Sequence, residues 1–197
     1  MTKFDRYTVT ILFMVIPLIF TQCNKQKNVE GKRSVDRSSQ VVHGIKVTMV
    51  KISGAYLAPG GPMMQSQGKK ENYRLLGAIA EAPEGSVFFK FTGPAATVSA
   101  AEESFNSLIA SLTTKEPGNQ PSGANAVAGI RWSIPSGWGE HPPRQMRVAT
   151  YMVPAASGDA EGGECAVFHF GNDKGGSVDA NIGRWVAQFE EENSAAK

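Results

Sequence analysis

Cysteine is scarce in this sequence. Two are present in 197 residues, Cys23 and Cys165, alongside three histidines. That excludes the disulfide framework of small secreted scaffolds. Metal ligation is poorly served as well. His43, His141 and His169 stand apart, with no close pair at ligand spacing, so no metal is expected. An excess of one charge is also missing. Removing Lys3 and Arg6 from 20 basic residues, and Asp5 from 18 acidic ones, leaves 18 and 17 beyond the leader. Such a balance argues against nucleic acid as a partner. Catalytic signatures are lacking too. No G-x-S-x-G elbow occurs. The segment "GNDKGGS", Gly171 to Ser177, lacks the lysine of a phosphate-binding loop. No cofactor is implied.

One apolar run is present, Val9 to Phe20, "VTILFMVIPLIF", interrupted by Thr10 and Pro17. It is shorter than the roughly 20 residues a spanning helix needs, and Lys3 and Arg6 precede it. Residues 1–22 therefore read as a signal peptide. The run ends in "FTQC", which resembles the lipobox of bacterial lipoproteins, with Leu18 and Ile19 fitting and Phe20 and Gln22 departing from the usual residues. The resemblance implies that Cys23 becomes the lipidated first residue of the mature chain. An ordinary signal followed by an unpaired cysteine is the competing reading. Residues 23–40 are polar and basic, too poor in apolar surface to offset the entropy of ordering, and read as a tether. With Cys23 lipidated, Cys165 has no partner. Its setting, "ECAVFHF", is a strand pattern that suits a buried small hydrophobe. His169 lies on the same strand face roughly 13 Å away, too far to act as its base.

Residues 41–197 are expected to form a single α+β domain of two similar βββα halves, 41–112 and 129–191. They are joined by a Pro/Gly-rich flexible linker over 113–128. In the first half "VVHGIKVTMVKISGAYL" alternates at Ile45, Val47 and Met49, and "YRLLGAIAE" ends in a Pro-Glu-Gly turn. In "SVFFKFTGP", Val87, Phe89 and Phe91 face one way and Phe88 and Lys90 the other. The helix "TVSAAEESFNSLIASL" carries a stripe of Val98, Ala101, Phe105, Leu108, Ile109 and Leu112, with Ser99 and Glu102 as a capping box. In the second half "GIRWSIPSGW", "QMRVATYMV" and "CAVFHFG" read as strands, with Phe168-His169-Phe170 echoing Phe89-Lys90-Phe91, so that an approximate two-fold is expected to relate the "FKF" and "FHF" strands. The helix "SVDANIGRWVAQFEE" has Ser177 as N-cap and a stripe of Val178, Ile182, Trp185 and Phe189. Neither stripe is buried alone, so an antiparallel sheet covered by helices is the expected architecture.

The motifs "WSIPSGW", "MRVATY", "GECAVFHFG", "NIGRWVAQF", "LLGAI" and "VFFKFTGP" together resemble an uncharacterised family of secreted bacterial proteins and lipoproteins. The resemblance covers nearly all of residues 41–191. It implies an α/β/α sandwich of the Mog1/PsbP type and no activity. In that family the Trp-rich half comes first, so this chain resembles a circularly permuted member. Permutation would place residues near Val41 and Glu190 at one edge of the domain.

For function, two aromatic and proline-containing loops are the candidate binding surface. "IPSGWGEHPPRQM" carries Trp138, His141 and Arg144, and "YLAPGGPMMQSQGKK" carries Tyr56, Met63 and Met64. Packing roles for the tryptophans are the competing reading. Gly175, Gly176 and Ser177 are a candidate anion site at a helix start. The expectation is a lipid-anchored protein of the bacterial cell envelope, membrane-bound through its lipid, whose domain outside the cytoplasm binds an envelope protein or a small ligand. The alternative is a hydrolase whose site is assembled only in three dimensions.

Overall fold

A computed structural model describes residues 26–30, 33–58, 68–114, 125–142, 144, 146–172 and 174–190. Cys23, Met63, Met64, the leader and residues 115–124 of the expected linker lie outside the described residues.

Three long strands make the centre: β3 (Ile45–Leu57), β4 (Lys69–Glu81) and β5 (Val87–Pro94), joined as an antiparallel meander. β5 then pairs with β11 (Gly163–His169), which pairs with β10 (Ala149–Val153) and that with the short β9 (Gly139–Glu140). On the far side, β2 (Arg33–Val42) lies along β3, and β1 (Gln26–Glu30) along β2. β12 (Phe189–Glu190) adds two residues beside β3. A separate small sheet is built from β6 (Thr113–Thr114), β8 (Ile130–Arg131) and β7 (Ala126–Val127).

Period-two alternation sorts the sheet into two faces. On one, Val47, Ala78, Phe89, Phe91, Tyr151, Cys165 and Val167 are buried together. They lie under α1 (Ala95–Ala100) and α2 (Glu102–Ala110), through Val98, Phe105, Leu108 and Ile109. On the other, Val50, Ile52, Leu75, Ile79 and Phe88 meet α3 (Val178–Val186) through Ile182 and Trp185. The alternation read for Val87 to Phe91 holds residue by residue.

The architecture corrects the expected one. An α/β/α sandwich of the Mog1/PsbP type does not form. Antiparallel sheet dominates, and the helices, of 6, 9 and 9 residues, are too short to make layers across it. An apolar helical stripe shows that a helix packs on something; it does not show how much of a sheet that helix covers. The sheet also grows where the sequence looked disordered. Residues 33–40 belong to β2, hydrogen-bonded to β3 in continuous register, and none of them is fully buried. The strand is set by pairing rather than by its own hydrophobicity, and the tether read over 23–40 is shortened accordingly.

The two halves are unequal. β3, β4 and β5 have 13, 13 and 8 residues, whereas β8, β10 and β11 have 2, 5 and 7. "WSIPSGW" is not a strand. The Trp132 amide donates to the Asn125 carbonyl at 3.1 Å, and Pro135 has no amide to give a ladder. The matched "FKF" and "FHF" strands are direct neighbours, but Phe89 pairs with Val167 and Phe88 with Phe168. The echo is out of step by one residue. Phe168 consequently lies on the face of Phe88, opposite Phe89, and α3 packs on that face too. A two-fold between neighbouring antiparallel strands would put both helices on the same face, so none relates the halves.

Val41 and Glu190 do not share one edge as expected. Val41 pairs with Lys46 at one end of β3 and Glu190 with Ala55 near the other, about 30 Å apart at strand rise. It is Arg33 that reaches the last strand, its Nη1 donating to the Phe189 carbonyl at 3.0 Å.

Helix caps also differ. The run read as one helix is broken at Ala101, with φ −96 and ψ 6. Ser99 falls inside α1 and donates back to the Ala95 carbonyl at 2.6 Å, so no capping box forms with Glu102. Asp159 instead accepts from the Thr97 amide at 2.8 Å. Ser177 caps α3 as expected, accepting from the Ala180 amide at 3.2 Å.

Candidate functional site

The face carrying α3 is incompletely covered, and the gap is a pocket of about 540 Å3. At its floor stands Lys90, on the same face of β5 as Phe88 and Thr92. Its neighbours in the sheet are Gly77 on β4 and Ala166 on β11, which leave a trough around the lysine stem. Gly77 is required there. A Cβ at that position would overlap the Trp185 ring, which lies directly on the strand. Tyr56, Tyr73, Phe88, Phe168, Phe170 and Trp185 give the pocket aromatic walls.

The Lys90 ammonium donates to Gln188 Oε1 at 2.6 Å and to Tyr56 Oη at 3.3 Å, and lies 5.4 Å from the centre of the Tyr56 ring. No carboxylate pairs with it among the described residues. Burial pushes its pKa down from 10.5 to about 8. Repulsion from Arg147 acts in the same direction, and Glu164 opposes them. Burial likewise pushes the Tyr56 hydroxyl up to about 12, aided by Glu164 and Tyr73. Lys90 nonetheless keeps part of its surface open to the pocket.

Two paired sets of charges flank it. Glu161 accepts from the Tyr73 hydroxyl and from Lys70 at 2.9 Å. The hydrogen bond from Tyr73, then that from Lys70, holds the Glu161 carboxyl below its usual range. Arg147 pairs with Glu164 at 2.8 Å and lies over the Phe168 ring at 5.7 Å. Arg184 is held by Asn181 Oδ1 at 3.1 Å. The lining thus contains four cations, Lys70, Lys90, Arg147 and Arg184, against two carboxylates, Glu161 and Glu164. The surplus favours an anion, and Lys90 is the deepest charge without a carboxylate.

Of the residues singled out by sequence, Tyr56 lines this pocket. Arg144 reaches Glu164 at 3.4 Å, behind the wall. Trp138 packs on the opposite face, against Phe91 at 5.3 Å and Tyr151 at 6.4 Å between ring centres. The His141 amide donates to the Thr150 carbonyl at 2.8 Å, and its ring Nδ1 is buried without a hydrogen-bond partner among the described residues. These residues do not form one surface. Gly175, Gly176 and Ser177 line a second cavity, of about 600 Å3, together with Glu81. There the Asn181 side-chain Nδ2 donates to the carbonyls of Gly175 at 2.8 Å and Ser177 at 2.9 Å, and Ser177 Oγ is engaged as the cap. Cys165 is fully buried on the opposite face, its thiol pushed up by burial and then by Glu164.

Sequence reasoning missed Lys90, Arg147, Glu161, Glu164 and Gln188 as site residues. One signal was available: a lysine with a phenylalanine on each side, in the middle of a strand whose alternate positions are all apolar. Comparison with family models, with curated proteins and with solved structures found no match to this chain.

Proposed function

We propose that this chain is a ligand-binding protein of the bacterial cell envelope, carried on a lipid at Cys23, whose pocket around Lys90 takes a small anionic molecule with an apolar body. The observation that carries the reading is the Lys90 ammonium, set among aromatic rings and bonded to the neutral Gln188 and Tyr56 rather than to a carboxylate. A concave site with aromatic walls and convergent polar groups is what small-molecule recognition uses. An entering carboxylate or phosphate would supply the missing counter-charge where water is scarce and the attraction strong.

Calorimetric titration of the full chain with benzoate and benzyl phosphate, and with benzamide as the neutral counterpart, tests it. Either anion should bind at least about tenfold more tightly than benzamide, and Lys90→Met should remove that preference. Binding should weaken above pH 8 as Lys90 loses its proton. Equal affinity for benzamide, or an anion preference kept by Lys90→Met, would overturn the reading. The anchor rests on the lipobox-like "FTQC", and is tested by labelled fatty acid in a bacterial host. Wild type should take up label and partition into detergent, whereas Cys23→Ser should do neither.

A further inference from the structure

We infer that Lys90 is a reactive amine that forms an imine with an aldehyde or ketone bearing an anionic group, bound in the pocket just described. The inference rests on the small-anion reading of that pocket and adds chemistry to it. Four observations carry it. First, the amine sits at the floor of an accessible pocket rather than on the surface, so a bound carbonyl compound would be held against it. Second, it is bonded to two neutral groups, Gln188 and Tyr56, and among the described residues forms no ion pair that would fix its proton. Third, Tyr56 Oη stands 3.3 Å from the nitrogen, where a hydroxyl can serve the oxygen of a carbonyl attacked by that nitrogen. Fourth, Arg184 lines the same pocket with no carboxylate paired to it among the described residues, and can hold the anionic group away from the reacting carbon.

Burial is the accepted means of freeing a lysine amine for such work, because it disfavours the charged form. The groups facing Lys90 act in both directions. Desolvation and Arg147 lower its pKa to about 8, Glu164 raises it, and Tyr56 remains protonated at neutral pH. A useful fraction of the amine is therefore neutral near pH 8.

The step balances without an oxidant or reductant. The neutral amine's lone pair attacks the carbonyl carbon: a C–N bond forms, the C=O π bond breaks, and one proton passes from the nitrogen to the oxygen by way of Tyr56, giving a carbinolamine. Tyr56 donates a proton to that hydroxyl as the C–O bond breaks, and water leaves. The nitrogen gives up its remaining proton to Tyr56, which ends as it began. The sum is amine plus carbonyl giving imine plus water. Because Tyr56 acts on the reacting oxygen, removing its hydroxyl should slow the step itself, which is read at saturating carbonyl compound.

The experiment is reductive trapping on the full chain. The protein is incubated with 4-carboxybenzaldehyde and sodium cyanoborohydride, then mapped by peptide mass spectrometry, while benzoate affinity is measured separately. The expected result is one dominant adduct, on Lys90, formed at least about tenfold faster than on exposed lysines such as Lys46 or Lys174, with a rate that rises through pH 8. Lys90→Arg and Lys90→Met should lose it. Tyr56→Phe should slow trapping about tenfold or more at saturating aldehyde, where a change in binding does not enter the rate. Labelling spread over surface lysines, or an adduct rate unchanged in Tyr56→Phe, overturns the inference. Benzoate binding without trapping overturns the imine and leaves the anion pocket standing. Trapping on Lys90 without any preference for anions leaves the imine standing and overturns the anion pocket.

Discussion

The two faces of one sheet are built from the same strands and end in different states. Beneath α1 and α2, Phe89, Phe91, Phe105, Tyr151 and Cys165 are each at 0% exposure. The polar atoms there are satisfied internally: Trp132 Nε1 donates to Tyr151 Oη at 2.8 Å, and that hydroxyl to Asn125 Oδ1 at 2.9 Å. On the opposite face α3 covers Val50, Ile79 and Gly77, and then ends. Beyond its end Lys90, Arg147 and Glu164 occupy the positions that Phe89, Val148 and Cys165 occupy, one residue away, on the closed side or towards it. The difference teaches that a site here is a matter of missing cover. A strand offers both of its faces equally, and the element laid on each decides which becomes core and which becomes pocket.

The largest effect that could break this comparison is a pair of truncations on neighbouring strands. Phe89→Ala removes a fully buried ring that meets Trp132 edge-on at 5.1 Å between centres, and should cost about 3–5 kcal/mol. Phe168→Ala removes a partly exposed pocket ring, and its cost should be about 1 kcal/mol, since water can enter the space it leaves. Urea unfolding of both variants checks this. Equal losses would show that the pocket face is as well packed as the other, and the contrast would fall.

How much of this could be read beforehand follows the same division. Alternation in Val87 to Phe91 and the stripe from Val98 to Leu112 identify the closed face, because period and burial coincide there. They also put Lys90 on the second face. What they do not give is the register between strands. Whether Phe168 shares a face with Phe88 or with Phe89 depends on a one-residue offset between segments far apart in the chain, and no local pattern carries it. The pocket depends on that offset, since it brings Ala166 beside Lys90 and Glu164 beside Thr92. The aromatic loops misled for a related reason. Trp138 looked exposed among Pro and Gly, yet it rests on Phe91 of β5 and Tyr151 of β10. Arg33 to Gln40 looked too polar to fold, and is held by backbone pairing with β3 and by polar side-chain contacts such as Arg33 to the Phe189 carbonyl and Arg37 to Asp179.

A smaller and opposite effect sharpens the comparison. If the open face was left open for function, its central lysine should cost stability that a core residue would not. Lys90→Met tests this, keeping the length of the side chain and removing its charge. The sign follows from the shifted pKa. In the unfolded chain Lys90 holds its proton up to about pH 10.5, but in the folded protein it gives it up near 8. Below pH 8 both states are protonated, so the penalty for burying the charge is fully present and does not vary. Between pH 8 and 10.5 the unfolded state binds more protons, and stability rises with pH. Above 10.5 both are neutral and the penalty is gone. A separation of about 2.5 between 10.5 and 8 corresponds to on the order of 3 kcal/mol, an upper figure because methionine leaves Gln188 and Tyr56 without their partner. Lys90→Met should therefore be more stable than wild type by about 1–3 kcal/mol at pH 7, and the gap should close as pH approaches 10.5. Taking the difference between the two proteins at each pH removes the contributions of Tyr56, Tyr73 and Lys70, which titrate in both. Thermal melts from pH 7 to 10 supply the measurement. A gap that stays constant over that range, or a variant less stable throughout, would mean that the lysine is a contented part of the fold and that the open face differs from the closed one in shape alone.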